Sequence, residues 1–400
     1  MLEPSRSLNC LTFCSLPYAG VGWPQSCVSI LAGFAGTPVV PTLVLPRSRL
    51  PLPWPIKAEF ALPRPLSALP WRLVANGSQA RLEERFSRLL DASDPAATVA
   101  YFWPGAPRKL VQRAKARGIL TVREMINTAQ ASAKPALDAA YARLGLPPTH
   151  TITTAAIEEE LAELALYDLV FASNAPCESS LIDAGVSADR IFPTSFGWSP
   201  ARFEPANTLG AEPRPGLGKV KVLFAGSISV RKGVPTLLEA WAKLKADAEL
   251  TLVGSVEPTL EPLLAKAVAG GSVRVLPFTR DIGALYRSHD VFVFPTVEEG
   301  GPQVTIEAGG CGLPVITTPM GAARLVKDGV NGIIVPAGAV EQLSTAIATL
   351  VSKPDLRQLY SRRIAADAQA FTYDRLGAER AMAFVERLQR RHNWEVASYA

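Results

Sequence analysis

Residues 291–316 have the sequence VFVFPTVEEGGPQVTIEAGGCGLPVI. The first four residues are β-branched or aromatic and predict a buried parallel strand, which Pro295 ends. A glycine–proline turn follows, and a helix is expected from about Gln303 until a pair of glycines stops it. A second apolar run at Val315–Thr317 predicts the next strand. This strand, turn, helix and strand form one unit of an open α/β sheet.

Two carboxylates flank the turn, Glu299 on the loop after the strand and Glu307 about one turn inside the helix. Ligands of open α/β sheets bind at this carboxyl edge of the strands. The start of a helix attracts phosphate, and a carboxylate can accept several O–H bonds. The pair therefore predicts a ligand with phosphates and hydroxyls, such as a sugar nucleotide. The alternative is that both acids are solvated charges.

The same alternation of strands and helices runs through the whole chain and predicts an α/β fold with doubly wound parallel sheets. Proline and glycine are concentrated between Phe203 and Lys219, which predicts a linker. We therefore expect two Rossmann-like domains facing a cleft, over residues 1–204 and 205–372, with a helix at about 373–400 packing back on the first. The proline-rich segment Pro41–Pro70 is expected to be an irregular loop.

Composition excludes some classes of function. The net charge is +5 with dispersed cations, which does not favour a nucleic-acid partner. Five cysteines without a repeated spacing indicate reduced thiols rather than a disulfide framework or zinc site. The N-terminus is a poor secretory signal and no apolar run is long enough to span a bilayer. A cytoplasmic protein is expected, with weak peripheral contact at the inner face of a membrane left open.

A second motif, FAGSISVRKG over residues 224–233, follows a predicted strand and precedes a helix. Gly226 lets the backbone approach a ligand, and Arg231 and Lys232 place two cations at the strand end. An arginine fork and a lysine point charge suit a diphosphate. The alternative is a pair of solvated charges.

Residues 291–316 resemble the E-x7-E signature of retaining glycosyltransferase family 4, and residues 226–233 resemble its phosphate motif. The sequence departs from the family at Gly301, Pro302 and Ser227. The resemblance covers about residues 200–345 and implies the GT-B fold and a retaining, metal-independent transfer from a nucleoside-diphosphate sugar to a hydroxyl acceptor. No Asp-x-Asp metal motif occurs in the sequence, and neither a metal nor another cofactor is expected. The residues that match the family are Pro295, Glu299, Gly300, Glu307, Ala308, Gly312, Pro314 and Val315 in the first motif, and Gly226, Lys232 and Gly233 in the second.

The resemblance also implies roles for residues. Glu299, Lys232 and Arg231 would be catalytic, with Glu299 on the transferred sugar and the two cations on the diphosphate. Glu307 would hold the ribose hydroxyls, and Phe278 could pack on the base. The other donor-binding residues expected are Gly226, Ser227, Gly254, Gly300, Gly301, Pro302, Gln303 and Val304.

The acceptor side is less defined by the sequence. Gly20 and Gly22 form a glycine loop near the first strand, and Asn127 follows another strand end. The histidine that many relatives carry in the first domain has no counterpart at a strand end, because the three histidines are His150, His289 and His392. A nucleotide-sugar-binding protein without transferase activity therefore stays open as an alternative, as does a sugar-nucleotide epimerase of the same architecture.

Overall fold

The structure is a computed structural model that describes residues 7–203 and 218–398, with side chains described up to residue 391. The described chain contains a seven-stranded and a six-stranded sheet, and every strand pairing in both is parallel. Most of the predicted linker lies outside the described residues, so the domain boundary at residue 204 stays a prediction.

The first sheet has the order β3-β2-β1-β4-β5-β6-β7. Its strands are β1 Leu8–Phe13, β2 Val39–Leu45, β3 Lys57–Phe60, β4 Thr98–Phe102, β5 Leu120–Met125, β6 Leu169–Ala172 and β7 Ile191–Pro193. Its helices are α1 Trp23–Ala32, α2 Arg64–Ala68, α3 Trp71–Ala92, α4 Arg108–Ala116, α5 Gln130–Arg143, α6 Thr154–Leu164, α7 Ala175–Asp183 and α8 Pro200–Phe203.

The second sheet has the order β10-β9-β8-β11-β12-β13. Its strands are β8 Val220–Ala225, β9 Ala248–Val253, β10 Val273–Leu276, β11 Val291–Phe294, β12 Val315–Thr317 and β13 Gly332–Ile334. The helices that follow in sequence are α9 Val234–Ala242, α10 Glu261–Ala269, α11 Ile282–Ser288, α12 Gln303–Gly310, α13 Val340–Ser352, α14 Pro354–Ala368 and α15 Tyr373–Ser398.

Both sheets are doubly wound: successive strands are added on one side of the first strand of each half, and the later strands are added on its other side. The change of side falls between β1 and β4 in one sheet and between β8 and β11 in the other. Every residue of β4, β6 and β11 is buried, because helices cover both faces of a parallel sheet. This burial explains why the unbroken apolar run at Val291–Phe294 predicted β11 with the bounds that the structure has.

The proline-rich segment is a correction to the sequence-based prediction. Residue Pro41 lies inside β2, and the segment 41–70 also contains β3 and α2. The carbonyl of Val44 faces β1 and that of Leu45 faces β3. Because every second residue of a strand directs its backbone polar groups to the same neighbouring strand, Pro41 faces β3 as Leu45 does. Because β3 pairs with β2 only from Thr42 onwards, the missing N–H of Pro41 removes no ladder bond.

The carboxyl edges of the two sheets face each other. Thr128, just after β5, donates to the side chain of Glu298, just after β11. Ser173, just after β6, donates to the carbonyl of Gly300 at 3.0 Å. The loops that the doubly wound order assigns to ligand binding therefore meet between the sheets.

The last helix, α15, returns to the first sheet. Its residues Ala381, Phe384 and Leu388 belong to the core of that half. Arg380 lies fully buried and donates to both carboxylate oxygens of Glu124 on β5, at 3.1 and 2.8 Å. None of the helices in residues 7–203 and 218–398 is long and apolar enough to cross a bilayer.

Candidate functional site

Lys232 and Glu299 form a buried ion pair between two loops of the second half. They meet because β8 and β11 are neighbouring strands, so the loops after them leave the sheet side by side. The backbone binds the loops as well, since the amide of Val297 donates to the carbonyl of Arg231 at 2.9 Å. Burial lowers the pKa of the Lys232 ammonium, which the nearby Glu299 carboxylate opposes. Its charge also lies 5.7 Å from the ring centre of Phe294.

A second ion pair lies next to the first and reaches the other sheet. Arg231 Nε is 2.7 Å from Glu298 Oε2, and a terminal nitrogen of Arg231 donates to Asn127 Oδ1 at 2.7 Å. The other oxygen of Glu298 accepts bonds from the amide and hydroxyl of Thr128, at 3.1 and 2.8 Å. Arg231 therefore connects the loop after β8 to the loop after β5.

A cavity of about 300 Å³ opens between the two halves beside these loops. Gly22 and Gln25 line it from the first half. The second half contributes the ends of β8 and β9, the segment from Phe278 to α11, and the start of α12. The sequence-predicted residues that line it are Gly22, Gly226, Ser227, Gly254, Phe278, Gln303, Val304 and Glu307.

Glu307 is the acid of this cavity. Its side chain is 12% exposed, Tyr286 donates to it at 3.2 Å, and Arg202 lies 3.9 Å away. Burial raises the pKa of Glu307 to about 7, with Arg202 and the Tyr286 hydroxyl acting in the opposite direction. Two partners leave part of the acceptor capacity of this carboxylate unused, so it can accept bonds from hydroxyls of a ligand.

The floor of the cavity depends on two glycines. A Cβ added to Gly254, at φ +148°, would lie 1.8 Å from the carbonyl oxygen of Gly226. Only glycine therefore permits the ends of β8 and β9 to approach this closely. Phe278 also lines the cavity and is 64% exposed, so its ring is accessible to a ligand.

The Gly300-Gly301-Pro302 turn packs against the first half. A Cβ on Gly300 would lie 2.2 Å from the amide nitrogen of Asn127, and one on Gly301 would lie 1.8 Å from the ring of Phe196. Glycine at 301 thus makes room for an aromatic ring of the first domain. At this point, where the sequence departs from the family signature, the turn closes the interface between the halves.

Gln303 joins the cavity to the first half and to α15. Its side-chain oxygen accepts a bond from Ser26 Oγ at 2.8 Å, and its nitrogen bonds the hydroxyl of Tyr373. Gly20 lies next to Leu50 rather than in the cavity, and Gly22 forms the N-terminal end of α1 and lines the cavity.

Neither His150 nor His289 lines the cavity. His289 is buried, with its ring nitrogens 2.7 Å from the carbonyl of Leu285 and 2.9 Å from Thr251 Oγ1. Burial lowers its pKa. His150 pairs with Asp138 at 2.8 Å and lines an adjoining cavity. The side chain of His392 is outside the described side chains. In the part of the chain that the structure describes, no three His, Cys, Asp or Glu residues form a metal-binding group.

The structure thus brings the predicted residues to one region in two layers. Glu307, Phe278 and the glycine loops line the open cavity, whereas Lys232, Glu299, Arg231 and Asn127 are engaged with each other or with Glu298. Glu298 and Thr128 were not predicted from the sequence. The position of Glu298 next to Glu299 was a signal that it belongs to the site. The sequence does not show, however, which acid pairs with which cation, because that depends on the path of the loops. Arg202 and Gln25 were missed too, since they lie far from both motifs.

The fold and the comparisons define the class of protein. Two doubly wound domains whose carboxyl edges face a cleft form the GT-B architecture, which confirms the predicted fold class. The sequence model of the family Glycosyl transferases group 1 matches residues 219–353, from the start of β8 to the end of α13. The second domain therefore matches the glycosyl transferases group 1 model, in agreement with the resemblance that the sequence motifs carry. Membership of family 4 in particular stays a prediction.

Similar proteins are found at two levels. A D-inositol 3-phosphate glycosyltransferase of Geodermatophilus obscurus is 30% identical over 228 residues, which are 52% of this chain and 50% of that protein. The chain spans about half the length of the curated relatives it matches. Sucrose-phosphate synthase from Thermosynechococcus elongatus matches at a TM-score of 0.73 with 18% identity, over 95% of this chain and 99% of the other. Anabaena HepE in complex with UDP and glucose matches at 0.65 with 16% identity, over 95% and 100%.

Proposed function

We propose that this protein is a glycosyltransferase that moves a sugar from a nucleoside-diphosphate sugar to a hydroxyl acceptor. The observation that supports this most directly is the cavity between the two sheets, with the buried carboxylate of Glu307 inside and the exposed ring of Phe278 at its mouth. A nucleoside fits both groups, because its base has an apolar face that can pack on the ring and its ribose has two hydroxyls that can donate to the carboxylate. The domain match and the structural neighbours support the same class.

In this proposal the donor lies along the cavity from Phe278 towards α12. The base packs on Phe278, and the ribose hydroxyls donate to Glu307. The diphosphate lies by Gly226 and Ser227, near the positive end of α12, where Gln303 begins the helix.

Lys232 and Arg231 would act on the charge that develops when the sugar leaves. Transfer breaks the bond between the sugar and the diphosphate and forms a bond from the sugar to the acceptor oxygen, whose proton passes to the departing phosphate. Negative charge accumulates on the departing phosphate oxygen before that proton arrives. Lys232 would exchange part of its contact with Glu299 for that oxygen, and Glu299 would then accept a bond from a sugar hydroxyl. Preformed cations of this kind replace a metal ion, which is why we propose a metal-independent reaction. Retention of the anomeric configuration follows from the family resemblance and is proposed on that ground.

A second candidate is a protein that binds nucleotide sugars without transferring them. It is favoured by the pairing of Lys232 with Glu299 and of Arg231 with Glu298, because both cations are already neutralised. We propose a cytoplasmic location, which the five unpaired cysteines support.

The two candidates are separated by measuring release of the nucleoside diphosphate from a panel of donor sugars, with inositol phosphates and other hydroxyl compounds as acceptors. We expect release in the presence of an acceptor, unaffected by EDTA, and a product with the donor's anomeric configuration by NMR. Lys232→Ala should slow release by about 100-fold, typical of losing one group that stabilises the transition state. Lys353→Ala, which changes an exposed lysine on the surface, is the control.

Binding of a donor without release for any acceptor would favour the second candidate. Absence of donor binding across the panel would refute both.

A further inference from the structure

The surface formed by residues 47–73 exposes apolar side chains. Seven of the twelve large apolar side chains that are exposed in the described residues lie between residues 16 and 73. On the 47–73 surface Trp54 is 76% exposed and Leu73 is 67% exposed, and the others there are Leu50, Phe60 and Leu69. Clusters of this kind mark contact with a protein or a membrane.

The same surface carries most of the net charge of the chain. Residues 47–73 contain five cations and one acid, a net charge of +4, whereas the whole chain has +5. The acid, Glu59, is paired with Arg85. The exposed cations are Arg49, Lys57, Arg64 and Arg72.

Arg47 holds the parts of this surface together. Its guanidinium is buried and donates to the carbonyls of Ser67, at 2.7 Å, and Leu69. It also lies 5.4 Å from the ring centre of Trp71. The amide of Leu62 donates to the carbonyl of Pro46 at 3.0 Å. These contacts hold residues 46–47 against residues 62–71.

The 47–73 surface borders the mouth of the cavity. The amide of Arg49 donates to the carbonyl of Tyr18 at 2.9 Å, and a Cβ on Gly20 would lie 2.8 Å from Leu50. The next residues of that loop, Val21 and Gly22, line the cavity.

We propose that the 47–73 surface binds the surface of an anionic phospholipid bilayer. Tryptophan and leucine side chains enter the headgroup region, and arginine and lysine pair with lipid phosphates. Charge argues against a second copy of this chain as the occupant, because a symmetric contact would place two faces of +4 against each other. The proposal does not depend on the proposed function, since it rests on the exposure and the charge of residues 47–73.

The test is sedimentation of the full chain with vesicles of phosphatidylcholine, with and without phosphatidylglycerol. We expect binding to the vesicles that contain phosphatidylglycerol, reversed by salt. The variant Arg64→Gln/Arg72→Gln should weaken binding by about 30-fold, the loss expected from two surface cations. Trp54→Ser/Leu73→Ser should also weaken it.

Matched controls change exposed side chains elsewhere. Met382→Ser alters an apolar residue of α15 that is 51% exposed, and Arg362→Gln alters an exposed cation of α14. Both should bind vesicles as the unchanged chain does. All these positions are exposed, so an unaltered melting temperature checks that the variants are folded.

Three results would overturn the proposal: no binding to anionic vesicles, equal binding by the surface variants and the controls, or binding that phosphatidylglycerol does not strengthen. If the chain does not bind vesicles but forms a concentration-dependent dimer that the surface variants abolish, a second copy occupies the surface.

Discussion

Lys232 and Glu299 are 67 positions apart and share one buried contact, because their loops follow neighbouring strands. Sequence patterns predicted that both residues lie near the same sheet edge, since each follows an apolar run. They did not predict the ion pair itself, or that Glu298 holds Arg231. Pairing depends on how two irregular loops pass each other, and no periodicity in the sequence encodes that path.

Removal of Lys232 tests the ion pair. The side chains of Lys232 and Glu299 are 16% and 8% exposed, so Lys232→Met leaves a buried carboxylate without its cation. We expect the free energy of unfolding in urea to fall by about 3–5 kcal/mol, the usual cost of breaking a buried pair from one side. Lys232→Met/Glu299→Gln should recover most of that loss, because no unpaired charge remains. Equal losses in the single and double variants would contradict the pairing.

Glu307 gives a second prediction, on pH. Its pKa of about 7 lies above the value near 4.3 expected in the unfolded chain. Between these values the native state keeps a proton that the unfolded state has lost, so the free energy of unfolding falls as pH rises. Glu307→Gln should remove this component of the slope, measured by urea unfolding at a series of pH values. A slope unchanged by the substitution would show that the native state does not raise the pKa of Glu307.

The same titration predicts a change in ligand binding. An ionised carboxylate is the better acceptor for ribose hydroxyls, so donor binding should strengthen as pH rises through about 7. The thermal shift produced by UDP, compared between the unchanged chain and Glu307→Gln, measures it. Titration of the UDP phosphate affects both proteins alike and cancels in the comparison. A parallel pH response of the two proteins would exclude Glu307 from the binding site.

At the scale of elements, apolar runs predicted the strands well where both faces are buried, as in β11 at Val291–Phe294. They failed in the segment from Pro41 to Pro70, because the tolerance of a strand for proline depends on which neighbour faces the missing N–H. The start of α12 at Gln303 was predicted, but the packing of the turn before it was not. That turn contacts Phe196, which is more than a hundred residues earlier in the sequence.

Substitution of Gly301 tests the packing of this turn. Gly301→Ala would bring a Cβ within 1.8 Å of the Phe196 ring, which belongs to the packed core of the first half. We expect destabilisation of about 1–3 kcal/mol, typical of overpacking, with a lower melting temperature. Gly77→Ala is the matched control, because its Cβ would meet nothing within 4 Å. Similar melting temperatures for the two variants would contradict the close approach.

At the scale of the whole molecule, the alternation of strands and helices predicted two doubly wound sheets, and composition predicted a linker between them. The sequence predicted that the last helix packs on the first half, but it did not predict in detail how the halves are held together. That depends on single polar contacts such as Thr128 with Glu298, and on α15, whose fully buried Arg380 reaches Glu124 of the first sheet. An arginine in a long charged helix is ordinarily expected to face solvent, so the sequence does not indicate that Arg380 is buried.

Arg380 predicts how strongly α15 is attached. Arg380→Met removes the cation and leaves Glu124 buried without it, so we expect a loss of about 3–5 kcal/mol in the free energy of unfolding. Hydrogen exchange should increase along α15 as well. Arg390→Met on the same helix is the control, since Arg390 is 70% exposed and pairs with Glu386 one turn away. Equal stability of the two variants would show that the buried pair does not anchor the helix.

Calorimetric titration of UDP tests most directly whether the cavity between the halves binds the nucleotide part of a donor. The unchanged chain and Glu158→Ala, which alters an exposed acid of α6, should bind UDP equally. Glu307→Ala should bind at least about tenfold more weakly, because ribose hydroxyls lose their charged acceptor. The same affinity in all three proteins would contradict this account, because the nucleotide would then bind elsewhere on the molecule.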